Sequence, residues 1–253
     1  MLRVLIHTAA SPAADLALEE AIQLAIEDDK SPNTWRIWQA AVPAVILGTG
    51  QESAREANLQ FAAANKLPVL RRHSGGGAVV IGPGAINFSA FYRFNDLAGS
   101  ETIRGAMSGA LRYVIRVLEK WDVRAREAGT SDLAALGADG TLRKIAGNSQ
   151  ARKRRSVLVH GTLLANPDFT LIQNALNFPS SIPDYRSGRD HRAFLTSLHE
   201  LSAPCDLKSF TNELLAALPS DKFSSAEPTE DELTRAGRLL IEKYGTDTWN
   251  LRR

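Results

Sequence analysis

Residues 71–79 read Arg71-Arg72-His73-Ser74-Gly75-Gly76-Gly77-Ala78-Val79, with two arginines before three glycines and an apolar run after them. Because glycine has no Cβ, it can adopt a positive φ and bring backbone N–H groups close to an anion. Arginine binds phosphate or carboxylate through paired N–H groups. The pattern is neither the dinucleotide fingerprint nor a Walker P-loop. It predicts an anion-binding loop or, alternatively, a glycine-rich β-turn with solvated arginines.

Strands and helices alternate on both sides of this loop. A first helix starts at Ser11-Pro12, an N-cap followed by proline at the first helical position, and ends before Ser31-Pro32. Apolar spacing predicts the remaining elements. The strands are 2–7, 34–39, 42–47, 68–72, 78–81, 86–92 and the hairpin-like pair 143–150 and 156–164. The other helices are 52–65, 102–121, 207–218 and 230–244, with a loop over 219–228. This order predicts a mixed α/β fold.

Composition narrows the class of protein. The 253 residues fit one large domain or two small ones, and 44% apolar with 23% charged residues excludes a disordered or coiled-coil chain. The net charge of only +2 excludes a protein whose whole surface is basic enough to bind nucleic acid or a membrane. The single cysteine, Cys205, permits no internal disulfide. The start is unlike a signal peptide and no run of about 18 apolar residues occurs, so we expect a cytoplasmic protein.

Three further motifs have both a functional and a structural interpretation. Lys144, within a short apolar and glycine-containing strand, could polarise a carbonyl and neutralise a phosphate, although most lysines are simply solvated. His160 at the end of an apolar strand is either a base or a satisfied core group. The basic run 152–155 is either a solvated turn or a docking patch for an acidic partner.

Taken in order, four motifs resemble those of a known family. Residues 71–79 are similar to Arg-Arg-x-Ser/Thr-Gly-Gly-Gly-x-Val, and Gly84 and Asn87 follow. Ser131-Asp132-Leu133 is similar to Asn-Asp-Leu, and residues 144–150 resemble Lys-hydrophobic-Ser-Gly-x-Ala-x. His160-Gly161-Thr162-Leu163-Leu164 matches His-Gly-Thr-Leu-Leu. The family is that of the lipoate-protein ligases and octanoyltransferases, which are related in fold to biotin-protein ligase, and the resemblance covers roughly residues 10 to 200.

The resemblance implies an α/β (α+β) fold of the biotin/lipoate ligase catalytic-domain type, with mixed β-sheets flanked by helices. An acyl-binding tunnel is expected between the glycine-rich strand and the lysine strand. We expect residues 1–253 to form a single catalytic domain, with about 200–253 as its helical C-terminal extension. A full C-terminal accessory domain is not expected.

The resemblance also implies a reaction. In the ligases, ATP and the fatty acid form an acyl adenylate, and a lysine of an acceptor lipoyl domain then attacks the carbonyl. Lys144 corresponds to the catalytic lysine that touches both the acyl carbonyl and the phosphate. The remaining expected binding residues are Arg71, Arg72, Ser74, Gly75, Gly76, Gly77, Ala78, Val79, Val80, Asn87, Asp132, Gly147, His160, Gly161 and Thr162. The expected cofactors are ATP, Mg²⁺ and lipoate or octanoate, and no protein metal-ligand cluster is predicted.

Two departures keep alternatives open. Many ligases have His-Asp where this chain has Ile81-Gly82, and transferases that use acyl carrier protein carry a cysteine where this chain reads Asn177-Phe178-Pro179-Ser180-Ser181. An acyl-cysteine in that segment is therefore excluded, which leaves Cys205 as the candidate thiol. The alternatives to the ligase are an octanoyl-[acyl carrier protein]:protein octanoyltransferase and a non-catalytic lipoate-binding protein.

The expected partners follow from the same resemblance. An acidic lipoyl-acceptor domain would bind transiently, and reversal of Arg154 and Arg155 to Glu is predicted to weaken its docking. A separate accessory-domain subunit is one explanation for the missing C-terminal domain. Neither nucleic acid nor a membrane is expected as a partner.

Overall fold

The computed structural model describes residues 2–137, 139–218 and 223–252. A mixed eight-stranded sheet runs through this part of the chain, with two parallel pairings at one edge and antiparallel pairings elsewhere. Its strands, numbered along the chain, are in spatial order β11 (Phe223–Ser225), β1 (Leu2–Ile6), β2 (Thr34–Trp38), β6 (Ala85–Arg93), β10 (Ser156–Leu164), β9 (Leu142–Arg152), β8 (Asp132–Leu136) and β7 (Ala125–Ala128).

A second, three-stranded sheet lies beside the first. It consists of β4 (Val69–Arg71), β3 (Ala44–Leu47) and β5 (Val79–Ile81), with β3 in the centre. Residues 72–78, which we call the glycine loop, connect β4 to β5. The helices are α1 (Pro12–Glu27), α2 (Ser53–Glu56), α3 (Leu59–Ala64), α4 (Ile103–Lys120), α5 (Phe169–Ala175), α6 (His191–Phe194), α7 (Leu207–Ala217), α8 (Glu230–Leu239) and α9 (Asp247–Asn250). The predicted mixed sheets flanked by helices are thus confirmed.

The large sheet has two unlike faces, because successive side chains of a strand point to opposite sides. Trp35 and Ile37 of β2 face an apolar core, together with Phe88 of β6 and the buried side chains of α4 and α7. Arg36 and Trp38 alternate with them and therefore belong to the opposite face. That second face carries α1, the three-stranded sheet and the cleft described below.

Several local features differ from the prediction. The helix predicted over 52–65 is two short helices, because the extended C-cap Ala57 ends the first and Asn58 caps the second by accepting a bond from Phe61 N. Strands β7 and β8 were not predicted. The predicted loop 219–228 contains β11, while residues 219–222 lie outside the described part of the chain. None of the helices in the described residues has the length and apolarity needed to cross a membrane.

Candidate active site

A single cross-strand row forms the floor of a cleft with a volume of about 930 Å³. Its members lie opposite one another on five neighbouring strands and are Trp38, Asn87, Thr162, Gly147 and Asp132. Thr162 Oγ1 donates to Asn87 Oδ1 at 2.8 Å. The row therefore brings to one surface residues that are far apart in the chain.

Lys144 reaches this surface through a β-bulge. In the pairing of β8 with β9, Leu133 lies opposite Ala146 but Ala134 lies opposite Lys144, so Ile145 is an extra residue. Ile145 and Ala146 are both buried in the core beneath the sheet. Because strict alternation would turn Lys144 toward the same core as Ala146, the bulge is what returns its side chain to the cleft.

The Lys144 ammonium is held by Asp132. Nζ lies 2.7 Å from Asp132 Oδ1, with 23% of the lysine side chain and 10% of the aspartate side chain exposed. The Tyr185 hydroxyl donates to Asp132 Oδ2 at 2.8 Å, and burial together with the nearby carboxylate raises the pKa of Tyr185 well above its usual range. A Cβ on Gly147 would lie 2.8 Å from both Cε and Nζ of Lys144. Gly147 thus makes room for the lysine to lie across the sheet.

The glycine loop presents bare backbone to the cleft. Of its three glycines only Gly76 has a positive φ, +83°. The left-handed conformation that glycine permits at all three positions is therefore used at one. No atom lies within 4 Å of a Cβ placed on Gly75 or Gly77. A ligand can therefore approach the main chain at these two residues.

Arg72 holds the glycine loop in shape. Its guanidinium donates to Ser74 Oγ at 2.9 Å, to Gly77 O at 2.8 Å and to Gly75 O. It also reaches Ile46 O on β3 at 3.3 Å. Burial lowers the pKa of Arg72 to about 10. The contacts in this structure are thus with the protein's own carbonyls, although Arg72 does line the cleft.

Arg71 lies behind the loop and does not line the cleft. Its buried guanidinium donates to the carbonyls of Gly48, Gln51, Trp249, Asn250 and Arg252. Trp249 Nε1 in turn donates to Arg71 O at 2.8 Å. The structure therefore assigns Arg71 to anchoring the C-terminal segment, which differs from the anion contact expected from sequence.

Ser74 and His160 form a buried chain of hydrogen bonds with Glu19 of α1. Ser74 Oγ lies 2.7 Å from His160 Nε2, and His160 Nδ1 lies 3.0 Å from Glu19 Oε2. Burial opposes ionisation of Glu19, but His160 and Arg36 outweigh it and lower the pKa of Glu19 to about 2. Since Glu19 is then an acceptor only, His160 Nδ1 carries the proton. The chain ties the glycine loop to β10 and α1, and Ser74 itself does not line the cleft.

One end of the cleft is apolar. Side chains from β5, β10, α5 and α6 and from the residues after the two helices pack together there: Val80, Leu164, Ile172, Leu176, Phe194 and Leu195. These six residues we call the apolar wall. It offers a surface for an alkyl chain, since each buried methylene contributes about 0.8 kcal/mol.

Residues 177–191, which we call the 177–191 segment, contribute a further part of the cleft lining. Asn177 Nδ2 donates to three carbonyls around α2, and Ser180 Oγ donates to Glu56. His191 Nε2 bonds Asn177 O at 3.0 Å, and burial lowers the pKa of His191. The segment is thus fastened at both ends. Its residues Asn177, Arg186 and His191 line the cleft.

The structure brings most of the predicted site residues to one place. The cleft is lined by Arg72, Gly75, Gly76, Gly77, Ala78, Val79, Val80, Asn87, Asp132, Lys144, Gly147, His160, Gly161 and Thr162. Sequence reasoning missed Glu19, Trp38, Tyr185 and Arg186. A signal existed for the last two, because the polar segment around Tyr185 to His191 stands out, but nothing in it indicates a partner.

The other candidates lie elsewhere. Cys205 packs against the apolar core and does not line the cleft. In the basic run, Arg155 pairs with Asp29 at 2.6 Å and Arg152 donates to Ser100 O at 2.8 Å. Within the described ranges, no group of three or more His, Cys, Asp or Glu side chains could hold a metal ion.

The family model of the lipoyl protein ligase A/B catalytic domain matches residues 11–219. The chain belongs to this family and is an enzyme of the lipoate ligase and octanoyltransferase type.

Curated relatives come from both branches of the family. Lipoate-protein ligase 1 of Staphylococcus aureus is 25% identical over 94% of this chain and 70% of that protein. The octanoyltransferase LipM of Symbiobacterium thermophilum is 28% identical over 94% of both chains.

Solved structures share the fold. Lipoate-protein ligase A bound with ATP superimposes with a TM-score of 0.84, at 23% identity and with 98% of both chains covered. A bi-partite lipoate protein ligase from Thermoplasma acidophilum, described with its E2 lipoyl domain, gives 0.82 at 22% identity, covering 99% of this chain and 97% of that chain. The fold predicted from the motifs is confirmed.

Proposed function

We propose that this chain is an ATP-dependent lipoate- or octanoate-protein ligase that forms an acyl adenylate and transfers the acyl group to a lysine of an acceptor lipoyl domain. One observation carries the proposal. The Lys144 ammonium is held 2.7 Å from Asp132 on the floor of a cleft that has bare glycine backbone on one side and an apolar wall at one end.

Lys144 supplies the positive charge for the reaction. In the first step the carboxylate attacks the phosphorus of ATP, pyrophosphate leaves, and negative charge builds on the phosphate oxygens. In the second step the acceptor lysine attacks the acyl carbonyl, negative charge builds on the carbonyl oxygen, and AMP leaves. A fixed ammonium beside both groups stabilises each charge. Asp132 and Tyr185 orient the lysine, since each Asp132 oxygen has a partner of its own. The N–H groups of Gly75 to Gly77 are available to the nucleotide from the opposite side.

The apolar wall is proposed to hold the acyl chain. An acyl adenylate is a mixed anhydride that water would hydrolyse, so the alkyl chain must fill the space beside the reacting carbonyl. The wall residues lie at the end of the same cleft as Lys144. Burial of several methylenes there would favour a medium-length chain.

Mg²⁺ belongs to this proposal only through the nucleotide. Asp132, the acidic residue near the motif, already pairs with Lys144 and accepts from Tyr185. The residues described in the cleft therefore do not make a dedicated site for the ion, and we assign no step to it.

The proposal treats residues 1–253 as one catalytic domain. Supporting this, β11 from the C-terminal part pairs with β1 in the main sheet, and Arg71 binds carbonyls of residues 249–252. An acceptor lipoyl domain is the partner we infer, in line with the Thermoplasma system. Involvement of a separate accessory-domain subunit remains a proposal to be tested by adding candidate partner chains.

An octanoyltransferase is the second candidate. The LipM relatives support it, since they match this chain over nearly their whole length, 94% in the Symbiobacterium protein. Against it, none of the residues described around the cleft is a cysteine, and Cys205 packs in the core. A transferase of the acyl-cysteine type would need that thiol at the reacting carbon.

Two matched reactions test the proposal. In the first, the purified chain receives ATP, Mg²⁺, octanoate or lipoate and a lipoyl domain; we expect pyrophosphate release and an acyl mass shift on the domain. In the second it receives octanoyl-acyl carrier protein and no ATP; we expect no transfer. Cys205→Ser should leave the first reaction unchanged. Transfer without ATP would overturn the ligase proposal, and its loss in Cys205→Ser would establish the thiol route.

A further inference from the structure

Arg186 is a buried arginine that the proposed chemistry does not yet use. It ends a 3₁₀ turn, Asp184–Arg186, in the 177–191 segment and lines the cleft with only 3% of its surface exposed. Its guanidinium carbon lies 4.9 Å from the ring centre of Phe178 and 4.7 Å from that of Phe194. Nε donates to Arg189 O at 2.8 Å. Two rings and one carbonyl therefore fix the plane of the guanidinium.

The outer end of this guanidinium lacks a partner. Arg186 Nη2 is buried and makes no hydrogen bond within the described residues, and no carboxylate there forms an ion pair with Arg186. The two carboxylates whose charge acts on Arg186 have other partners: Asp132 is engaged by Lys144 and Tyr185, and Asp190 caps α6 through Ala193 N. Burial lowers the pKa of Arg186, but arginine remains charged at neutral pH.

Other buried arginines of this chain are satisfied. Arg36 pairs with Asp15, and Arg3 binds Glu232 at 3.0 Å. Arg71 binds a set of carbonyls. A buried guanidinium with a free N–H is destabilising unless an anion completes it. The free end of Arg186 thus marks a position prepared for a ligand.

We propose that Arg186, from its position in the 177–191 segment, binds an oxyanion of the substrates in the cleft. The inference rests on the proposed function and deepens it. The oxyanion is either the carboxylate of the medium-chain acid or a phosphate of the nucleotide; both present two coplanar oxygens to a planar guanidinium. Lys144 and Arg186 then supply two cations to the same cleft.

Calorimetric titration of two probe pairs tests this and identifies the source of the oxyanion. Octanoate is compared with octanamide, and ATP and AMP are compared with adenosine, so that each pair differs in charge. The variant is Arg186→Gln, and Arg186→Lys keeps the charge but loses the planar fork. Arg189→Gln is the matched control, because Arg189 is in the same segment and donates only to the carbonyls of Leu142, Tyr185 and Arg186.

We expect Arg186→Gln to weaken one charged probe by about ten- to a hundred-fold and its neutral counterpart by less than about two-fold. Arg186→Lys should lose less, and Arg189→Gln should lower the melting temperature without discriminating charged from neutral probes. A loss confined to octanoate assigns the carboxylate, and one confined to ATP and AMP assigns the phosphate.

Three results would overturn the proposal: unchanged binding of octanoate, ATP and AMP, equal losses for charged and neutral probes, or a wild-type protein that binds none of these three charged probes. Pyrophosphate release by the wild-type protein is measured separately. If it occurs while Arg186→Gln binds normally, only the role of Arg186 fails. If the wild-type protein releases no pyrophosphate but Arg186→Gln still loses binding of a charged probe selectively, only the ligase proposal fails.

Discussion

The glycine loop differs from the floor of the cleft and the 177–191 segment in how its polar groups are satisfied. In the loop, Arg72 donates to four oxygens of the protein itself, and Ser74 and His160 complete each other's hydrogen bonds. On the floor and the 177–191 segment, Trp38 Nε1, Asn87 Nδ2 and Arg186 Nη2 have no partner among the described residues. An unmade buried hydrogen bond costs about 1–3 kcal/mol. The loop is therefore shaped by contacts within the protein, whereas the floor and the 177–191 segment keep polar atoms that we propose a ligand completes.

The largest effect is expected for Lys144 on the floor. Lys144→Met removes the ammonium beside the reacting groups and should reduce the rate of acyl transfer about a thousand-fold. Lys153→Met is the control, because Lys153 is also part-exposed and lies 3.9 Å from a carboxylate, that of Glu20, but is outside the cleft. Steady-state kinetics with octanoate and ATP would measure both. A similar loss in the two variants would contradict the assignment.

Gly147 tests whether the position of the lysine matters as well as its charge. In Gly147→Ala the new Cβ would lie 2.8 Å from the Lys144 Cε and Nζ, so the end of the lysine side chain must shift from its present position. We expect about a ten- to hundred-fold loss of activity, since small displacements of a catalytic group are costly. Gly237→Ala in α8, where no atom lies within 4 Å, is the control. Full activity in Gly147→Ala would show that Lys144 need not lie across the sheet.

Substitution of Arg72 tests whether its hydrogen bonds to the glycine loop stabilise the folded protein. Lysine cannot reproduce a planar fork that donates to Ser74 and to carbonyls of the loop and β3. Arg72→Lys should therefore lower the free energy of unfolding by about 1–3 kcal/mol in urea denaturation. Arg112→Lys should change it little, because the Arg112 guanidinium donates to the Tyr113 hydroxyl and lies over the same ring. An unchanged midpoint for Arg72→Lys would mean that the loop keeps its shape without the guanidinium.

The glycine loop also has an expected pH dependence, through His73. Its Nε2 bonds Gln23 Oε1 at 2.9 Å, and burial lowers its pKa to about 4 despite the charge of Glu20. The unfolded chain takes up this proton near pH 6.5 but the folded chain only near pH 4, so stability is lost as the pH falls between these values. We expect a loss on the order of 2 kcal/mol.

Urea denaturation at several pH values would measure that loss. His73→Gln should reduce the slope between pH 6.5 and 4.5 without abolishing it, because burial also lowers the pKa of His191 and its contribution has the same sign. Below about pH 4.5 Glu19 adds a further loss as it approaches its pKa of about 2. An identical slope in His73→Gln and the parent would rule out this role for His73.

The smallest effect is expected in the basic run, away from both sides of the cleft. Arg155 is neutralised by Asp29, so the docking role expected for Arg154 and Arg155 together should rest mainly on Arg154. Arg154→Glu should slow association with a lipoyl domain by less than about five-fold, and more at low salt than at high salt. Stopped-flow association at two ionic strengths would measure this. A rate independent of salt would remove the docking role.

Sequence reasoning reached much of the site because its motifs carry local signals. The glycine run, Lys144 and His160 are recognisable from residue type and order. Glu19 is not, because its hydrogen bond to His160 spans 141 residues and its helix shows only an acidic residue beside an apolar face. The β-bulge at Ile145 was equally hidden, since an apolar strand with one extra residue looks like any other. Arg71 and Arg72 appear equivalent in sequence, and only their different neighbours in the fold separate their roles.

The row of floor residues has a consequence for how such a cleft can change. The register of the strands places five residues in one row across the sheet: Trp38, Asn87, Thr162, Gly147 and Asp132. Insertion or deletion of one residue in β6 or β10 would send every following side chain to the opposite face. Asn87 or Thr162 would then point into the apolar core and an apolar neighbour would enter the cleft. Substitutions in this row can therefore change the substrate preference, whereas insertions and deletions in the strands that carry it would disrupt the site.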